Sequence, residues 1–454
     1  MLPPMKKLAV ILMLSATLGT MPAAHSVTAT AEPAKPVLMA YYLLEKSQIN
    51  RYPGPYEAEP FKLPSPRQLR VLTHLNLAFI DLNENGECDW EAGVQADKAG
   101  QIVEKLHQLR RVNPQLRLLV SLGGWSATND DSPTVQRYRQ AAASEAGRQR
   151  LAASCLAFIE RYQLDGLDID WEYPRSEDAD AFAQLLRTLR AGLAQASKQR
   201  RTPYQLTIAA AGGAFNLLRT YQRLPDIAAQ VDYLNLMTYD FHGPWDSMTN
   251  HHAHLYGDPQ EALFDNPLPG PRAPARFALT ADAAVQQYLD AGVPARKLVL
   301  GVPFYGRAFF HTGVENRGLF QPFSTQAGDH YSGDIRLLPG CISCLQLKDP
   351  RTPSYADIRH MLAQPLGYER HQSDASKAVW LFQPERGIFV SYEDPWSLRF
   401  KVRYAQQQGL GGMMFWHLGQ DDPQDSLLLN LRRFIQQPLP AAEDEQVNGL
   451  RYHR

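Results

Sequence analysis

Three carboxylates at alternate positions mark the stretch of this 454-residue chain best equipped for chemistry. In Leu164–Pro174, LDGLDIDWEYP, Asp168, Asp170 and Glu172 are separated by Ile169 and Trp171. Alternate side chains of an extended strand leave the same face, so the three carboxylates point one way. Their Cα atoms stand roughly 6.6–6.8 Å apart, at a rise of about 3.3–3.4 Å per residue. Like charges that close cannot all ionise freely, and their pKa values split. A carboxyl that keeps its proton beside one that has lost it suits general acid catalysis. Asp165 lies an odd number of residues from Asp168 and is expected to serve the turn before the strand. A solvated surface and a hard-metal site are the competing readings. Surface strands do not interleave their charges with Ile and Trp. A calcium loop needs Gly at its sixth position, where Asp170 or Trp171 stands. No metal site is expected.

The elements that must carry this row are short apolar runs alternating with helical periodicities. The expected strands are Val37–Tyr42, Leu75–Asp81, Leu116–Leu122, the carboxylate stretch itself, Leu206–Ala210, Tyr233–Met237, Lys297–Val302 and Gly411–Trp416. Helices are expected over Lys105–Val112, through Leu151, Cys155, Phe158, Ile159 and Tyr162, and over Pro225–Gln230, Ala281–Ala291 and Pro395–Gln408. Behind Pro174 a further helix is expected, capped by Ser176, with Phe182, Leu185, Leu186, Leu189 and Leu193 on its apolar face. Uniformly apolar strands alternating with helices imply a parallel sheet covered on both faces. Eight such units predict a (β/α)8 TIM barrel in the α/β class.

The alternation stops over Ala308–Asp394, where Ala378–Phe382 and Ile388–Tyr392 flank Arg386-Gly387 like a hairpin. An α+β insertion at 308–394, between the seventh strand and its helix, is therefore expected. The barrel would comprise 36–307 and 395–437, followed by a polar tail at 438–454.

Lys6 and Lys7 precede an apolar run, Leu8–Leu18, and then small residues. This is the pattern of a secretory signal over 1–31, cleaved at about 24–31. The run is too short to span a membrane, and no other segment is long enough. An exported protein, extracellular or periplasmic, is expected. A formal net charge of −1 calls for neither nucleic acid nor an anionic membrane surface. Of four cysteines, Cys341 and Cys344 have C-x-x-C spacing, read as a local disulfide or as inert thiols; Cys155 falls on an apolar helical face, a core position. His251, His252 and His254 read as an exposed polar loop after the sixth strand.

Barrels of this type gather function where strands end. Tyr41, Phe79, Ser121 with Trp125, Asp168 to Glu172, Met237 to Asp240, Tyr305 to Arg307 and Trp416 all fall at such ends. An aromatic-lined cleft with a few directed polar groups suits a pyranose polymer, whose CH faces stack on rings.

The same residues carry a family resemblance. Asp165–Glu172 has the D-x-x-D-x-D-x-E pattern of family 18 glycoside hydrolases, the chitinase family. Ser121-Leu-Gly-Gly124 is similar to that family's S-x-G-G motif, and Met237-Thr-Tyr-Asp240 to its M-x-Y-D. Gly301–Arg307 and Gly411–Trp416 resemble its seventh- and eighth-strand segments. The whole resembles bacterial secreted chitinases with an insertion domain. The resemblance implies a substrate-assisted, retaining mechanism without a protein nucleophile. It implies Glu172 as the acid and Asp170 as orienter of the substrate acetamido group, with Asp168 sharing a proton with Asp170. Tyr41 and Ser121 would support Asp168, Tyr239 would hold the acetamido oxygen, and Trp416 would floor the cleavage subsite. Phe79, Trp125, Tyr173, Met237, Asp240, Trp245, Tyr305 and Arg307 would line the sugar sites. The expected partner is chitin or a chitooligosaccharide, bound by a monomer, with neither metal nor cofactor. The alternatives are an endo-N-acetylglucosaminidase acting on glycoprotein glycans and an inactive chitin-binding lectin; the presence of Glu172 weighs against the lectin.

Overall fold

The computed structural model describes residues 35–44, 63–261, 278–324 and 352–437. The leader at 1–31, Cys341 with Cys344, and the tail at 438–454 lie outside the described residues.

Eight parallel strands form a closed ring. In chain order the strands are β1 Val37–Leu43, β2 His74–Leu82, β3 Cys88–Trp90, β4 Arg117–Gly123, β5 Gly166–Asp170, β6 Gln205–Ala211, β7 Tyr233–Met237 and β8 Leu298–Pro303. They continue as β9 Arg307–Phe309, β10 Glu369–Ser373, β11 Ala378–Gln383, β12 Ile388–Tyr392 and β13 Gly412–Trp416. The ring runs β1-β13-β8-β7-β6-β5-β4-β2 and closes because β1 also pairs with β2. This is the (β/α)8 barrel. β5 is its fourth strand and carries Asp168 and Asp170.

The barrel's two faces are filled separately. Ile169 and Trp171 point outward into the layer between strands and helices; Trp171 packs edge-on to Phe182 and tilted against Tyr138. Inside, Val37, Met39, Ala78, Ala209, Val299 and Met414 form a separate cluster that reaches up to Phe79, Tyr239 and Trp416. The period-2 alternation of each strand thus sends one set of side chains to the helices and the other to the site.

Three local features differ from the expectations. Ser176 does not cap the helix behind Pro174: Ser176–Asp178 is a 3-10 turn, and the helix spans Ala179–Ser197. The Asp178 carboxylate turns back to accept from the Arg175 amide at 3.0 Å, which sets the later start. A short antiparallel strand, β3, also folds back onto β2 after a turn at Gly86. It brings Cys88 to Cys155 on the helix Glu145–Arg161, and the two form a disulfide. Cys155 is in the core as its apolar face requires, but as half of a cystine.

Between β8 and the helix Pro395–Gln407 lies a second sheet, antiparallel, in the order β10-β11-β12-β9, together with the helix Tyr355–Ala363.

Candidate active site

The register of the barrel builds the site from its base. Ser121 on β4 pairs with Asp168 on β5, which pairs with Thr207 on β6. All three are fully buried. Asp168 Oδ2 accepts from the Tyr41 hydroxyl at 2.8 Å and the Ser121 hydroxyl at 2.7 Å. Its Oδ1 accepts from Thr207 at 2.5 Å and from the Asn235 amide at 3.3 Å. Four donors therefore surround one buried carboxyl. Burial pushes Asp168 above its ordinary value, and the four hydrogen bonds pull against that rise.

Asp170 is also buried, at 3 % exposure, and its Oδ1 has no hydrogen-bond partner among the described residues. Its carboxyl is hydrogen-bonded with Glu172, which lies two residues beyond the strand. Burial, then the charges of Glu172 and Asp168, push Asp170 well above the usual carboxylate range. Burial likewise pushes Glu172 up to about 7, opposed by a hydrogen bond from Tyr173 and assisted by the nearby Asp240 charge. Glu172 thus keeps its proton up to near-neutral pH, and alone of the three is only partly buried.

The loop after β4 holds the end of β5 in place. Gly124 N–H donates to the Asp170 carbonyl at 2.8 Å, and Glu172 N–H donates to the Thr128 hydroxyl at 2.8 Å. Gly123 has φ +118°, and a Cβ there would meet the Asp170 carbonyl oxygen at 2.1 Å. At Gly124, a Cβ would strike the Phe79 ring at 2.7 Å. Only glycine permits both approaches.

Above this base stand the rings. Trp416 stacks on Phe79, with centroids 5.6 Å apart, and tilts against Tyr41 at 5.7 Å. Three non-proline cis peptides, Ala78-Phe79, Glu172-Tyr173 and Trp416-His417, lie at these strand ends. Met237 ends β7, and Tyr239 follows it, edge-on to Tyr305 at 6.2 Å. Burial and the Asp170 and Glu172 charges push the Tyr239 hydroxyl well up, and burial foremost does the same for Tyr173; both remain proton donors. Asp240 accepts from Arg307 Nε at 2.7 Å and Nη2 at 2.8 Å, and from the Tyr305 hydroxyl at 2.7 Å. The Arg307 guanidinium also lies 5.4 Å from the Trp245 ring centroid. Trp125 and Trp245 are 61 % and 58 % exposed.

Every residue read from the sequence as a site candidate therefore lies at the C-terminal mouth of the barrel or just beneath it. Sequence reasoning missed Thr207 and Asn235, although each is a lone polar residue inside an apolar strand. It also missed Thr128 and Phe215, an exposed ring on the helix Ala214–Thr220 that follows β6. The histidines need correcting. His251, His252 and His254 are fully buried, not an exposed loop. His251 packs on Trp380 of β11, and His252 N–H donates to Ser391 of β12. The cover comes from residues more than 120 positions later. Among the described residues no group of His, Cys, Asp and Glu could hold a metal ion.

A buried carboxyl row under an aromatic mouth, with its one accessible member protonated near neutrality, is the site of a glycoside hydrolase. The chain matches glycosyl hydrolases family 18 over residues 38–421 and belongs to that family. It is 41 % identical to chitinase B of Serratia marcescens over 91 % of this chain and 87 % of that protein. It also superposes on the family 18 N-acetylglucosaminidase of Paenibacillus barengoltzii with TM-score 0.66 and 29 % identity, covering 88 % of this chain and 99 % of that one. A chitinase of Bacillus thuringiensis gives TM-score 0.70 at 27 % identity, over 90 % and 71 %.

Proposed function

We propose that this chain is a secreted chitinase that hydrolyses β-1,4-linked N-acetylglucosamine polymers with retention, through an oxazolinium intermediate. One observation carries the reading: Asp168 and Asp170 are buried, and only Glu172 presents a carboxyl to the mouth. Asp168 is taken up by four donors and Asp170 is hydrogen-bonded with Glu172, which favours a nucleophile supplied by the substrate. A 2-acetamido sugar has one in its carbonyl oxygen.

Glu172 gives its proton to the glycosidic oxygen as the C1–O bond breaks. The acetamido carbonyl oxygen bonds to C1 from the opposite face, and the positive charge spreads over the oxazolinium ring. Asp170 accepts from the acetamido N–H and faces that charge, while the Tyr239 hydroxyl orients the acetamido oxygen. Water then enters from the side the leaving group vacated and gives a proton to the Glu172 carboxylate. The bond from C1 to the acetamido oxygen breaks, and the product emerges as the β-anomer. Trp416 floors the sugar at the cleaved bond, and Trp125, Trp245, Asp240, Tyr305 and Arg307 line neighbouring sugars.

The likeness to Serratia chitinase B supports chitin as substrate. The cystine between Cys88 and Cys155 suits an oxidising compartment, in keeping with a cleaved leader at 1–31. We read 308–394 as an insertion domain and the remainder of 36–437 as the barrel.

The test is Glu172→Gln. Calorimetry should show chitooligosaccharide binding retained, with turnover down by about 10²–10⁴. Undiminished cleavage overturns the assignment. Proton NMR of the first product should show the β-anomer; an α-anomer overturns retention.

A further inference from the structure

Asp130, on the loop between the site's Trp125 and the helix Val135–Ala143, collects three arginines from three different segments of the chain. Its Oδ1 accepts from Arg139 Nη2 and Arg175 Nε, each at 2.8 Å. Its Oδ2 lies 3.6 Å from Arg219 Nη1. Arg139 belongs to the helix after β4, Arg175 follows Glu172 by three residues, and Arg219 lies on the helix after β6. Asp178 takes a share of the charge, accepting from Arg139 Nε at 3.2 Å. Asp130 itself is 37 % exposed at the side chain.

Each arm leads to a functional element. The Asp130 loop begins at Trp125, whose carbonyl accepts from the Asn129 amide at 2.5 Å. Thr128 in the same loop accepts the Glu172 N–H. Arg219 lies 4.8 Å from the Phe215 ring centroid, and Phe215 is 73 % exposed. A phenyl ring that exposed has no core to fix it; the guanidinium over its face is its restraint.

We propose that Asp130 is a positioning residue: one carboxylate clasps three arginines and thereby sets the exposed Phe215 and Trp125 rings about the acid-bearing segment. It touches no sugar. It acts through Arg219 on Phe215 and through its own loop on Trp125, so it governs how well a long chain is gripped. Without it, three guanidinium groups face one another with only Asp178 and the exposed Glu177 to offset them, and the loops splay. The proposal rests on the chitinase reading, because rings at the mouth matter only if a sugar polymer lies across them.

A kinetic cycle on chitotriose and chitohexaose tests it, using Asp130→Asn, Phe215→Ala, the double variant and Asp130→Glu. Asp130→Asn should raise KM for the hexamer about three- to tenfold, the worth of one stacked ring. Its kcat, and its kcat/KM on the trimer, should stay within about twofold. Once Phe215 is gone, Asp130→Asn should cost clearly less on the hexamer than it does in the wild type, the remainder being the Trp125 arm, and Asp130→Glu should restore most of the loss. Exposed ion pairs are screened by salt, so wild-type KM for the hexamer should also rise with NaCl, and less steeply in Asp130→Asn. Additive losses in the cycle, or equal losses on both sugars with a lowered Tm, overturn the proposal. A flat salt dependence in the wild type does the same, even if the Asn variant fails to fold. A wild type that cleaves neither sugar overturns the chitinase reading as well. One that cleaves both while the cycle is additive overturns only the role of Asp130.

Discussion

Arg307 meets Asp240 side-on, Nε to Oδ1 at 2.7 Å and Nη2 to Oδ2 at 2.8 Å, from a strand that starts 67 residues further along the chain. Burial alone would push the Asp240 carboxyl up; Arg307 foremost, with His252, outweighs it and holds the group well below the usual carboxylate range. The ionised Asp240 in turn raises Glu172. Its charge therefore helps keep the acid protonated at neutral pH.

A pH-rate profile should expose this link. Wild-type kcat/KM should fall on the basic side as Glu172 loses its proton near 7. Asp240→Asn removes a negative neighbour and leaves Arg307 positive, and both changes favour the Glu172 carboxylate. The basic limb should move to lower pH. A limb that stays in place or moves up would refute the electrostatic role of Asp240.

Tyr41→Phe removes one of the four donors to Asp168 and leaves the ring in place. The loss of one hydrogen bond to a fully buried carboxyl should cost about 1–3 kcal/mol, read by urea unfolding. The Asp168 pKa, already raised, should rise further. The folded state then binds more protons than the unfolded chain above about 3.9, so the deficit should grow as pH rises. An equal deficit at pH 5 and pH 8 would count against it.

The buried histidines should make the fold acid-sensitive. Burial, followed by the charges of neighbouring histidines, lowers His251 to about 3, and burial also lowers His252 and His254. Above about 6.5 all are neutral whether folded or not, and stability is complete. Between about 6.5 and 3 the unfolded chain protonates His251 while the fold keeps it neutral, so stability falls with pH by up to about 1.4 kcal/mol per unit for this group, and His252 and His254 act in the same direction. His251→Phe, which keeps a ring against Trp380, should flatten the fall in Tm between pH 7 and 4.5. A variant as acid-sensitive as the wild type would contradict this.

Reduction of Cys88–Cys155 opens a covalent loop with a separation of 67 residues. The paired Ser variant should lose about 2–4 kcal/mol of stability, measured by denaturant unfolding. Activity per folded molecule should be unchanged, because the cystine joins β3 to an outer helix and touches no site residue. A stable variant that has lost activity would place the cystine in the site's support.

Much of this protein was legible in its residues alone. The spacing of Asp168 and Asp170 decides that they share a strand face, and Glu172 continues that period just beyond the strand's end. Eight apolar runs alternating with amphipathic helices decide the barrel, since such strands must be covered on both sides. Both are local consequences of period, and local sequence carries them. The pairings across the chain were not legible. Nothing in Thr207 or Asn235 states that each donates to a carboxyl on β5; the register between strands places them there. The His251–His254 segment reads as a polar loop until residues of β11 and β12 cover it. Asp130 reads as one acid in a polar loop, and becomes a hub only when Arg139, Arg175 and Arg219 converge on it. Which carboxyl keeps its proton is likewise a tertiary decision. Burial raises all three carboxyls, and Glu172 is set apart by its partial exposure at the mouth and by the Asp240 charge, 68 positions away; those are properties of the folded cleft.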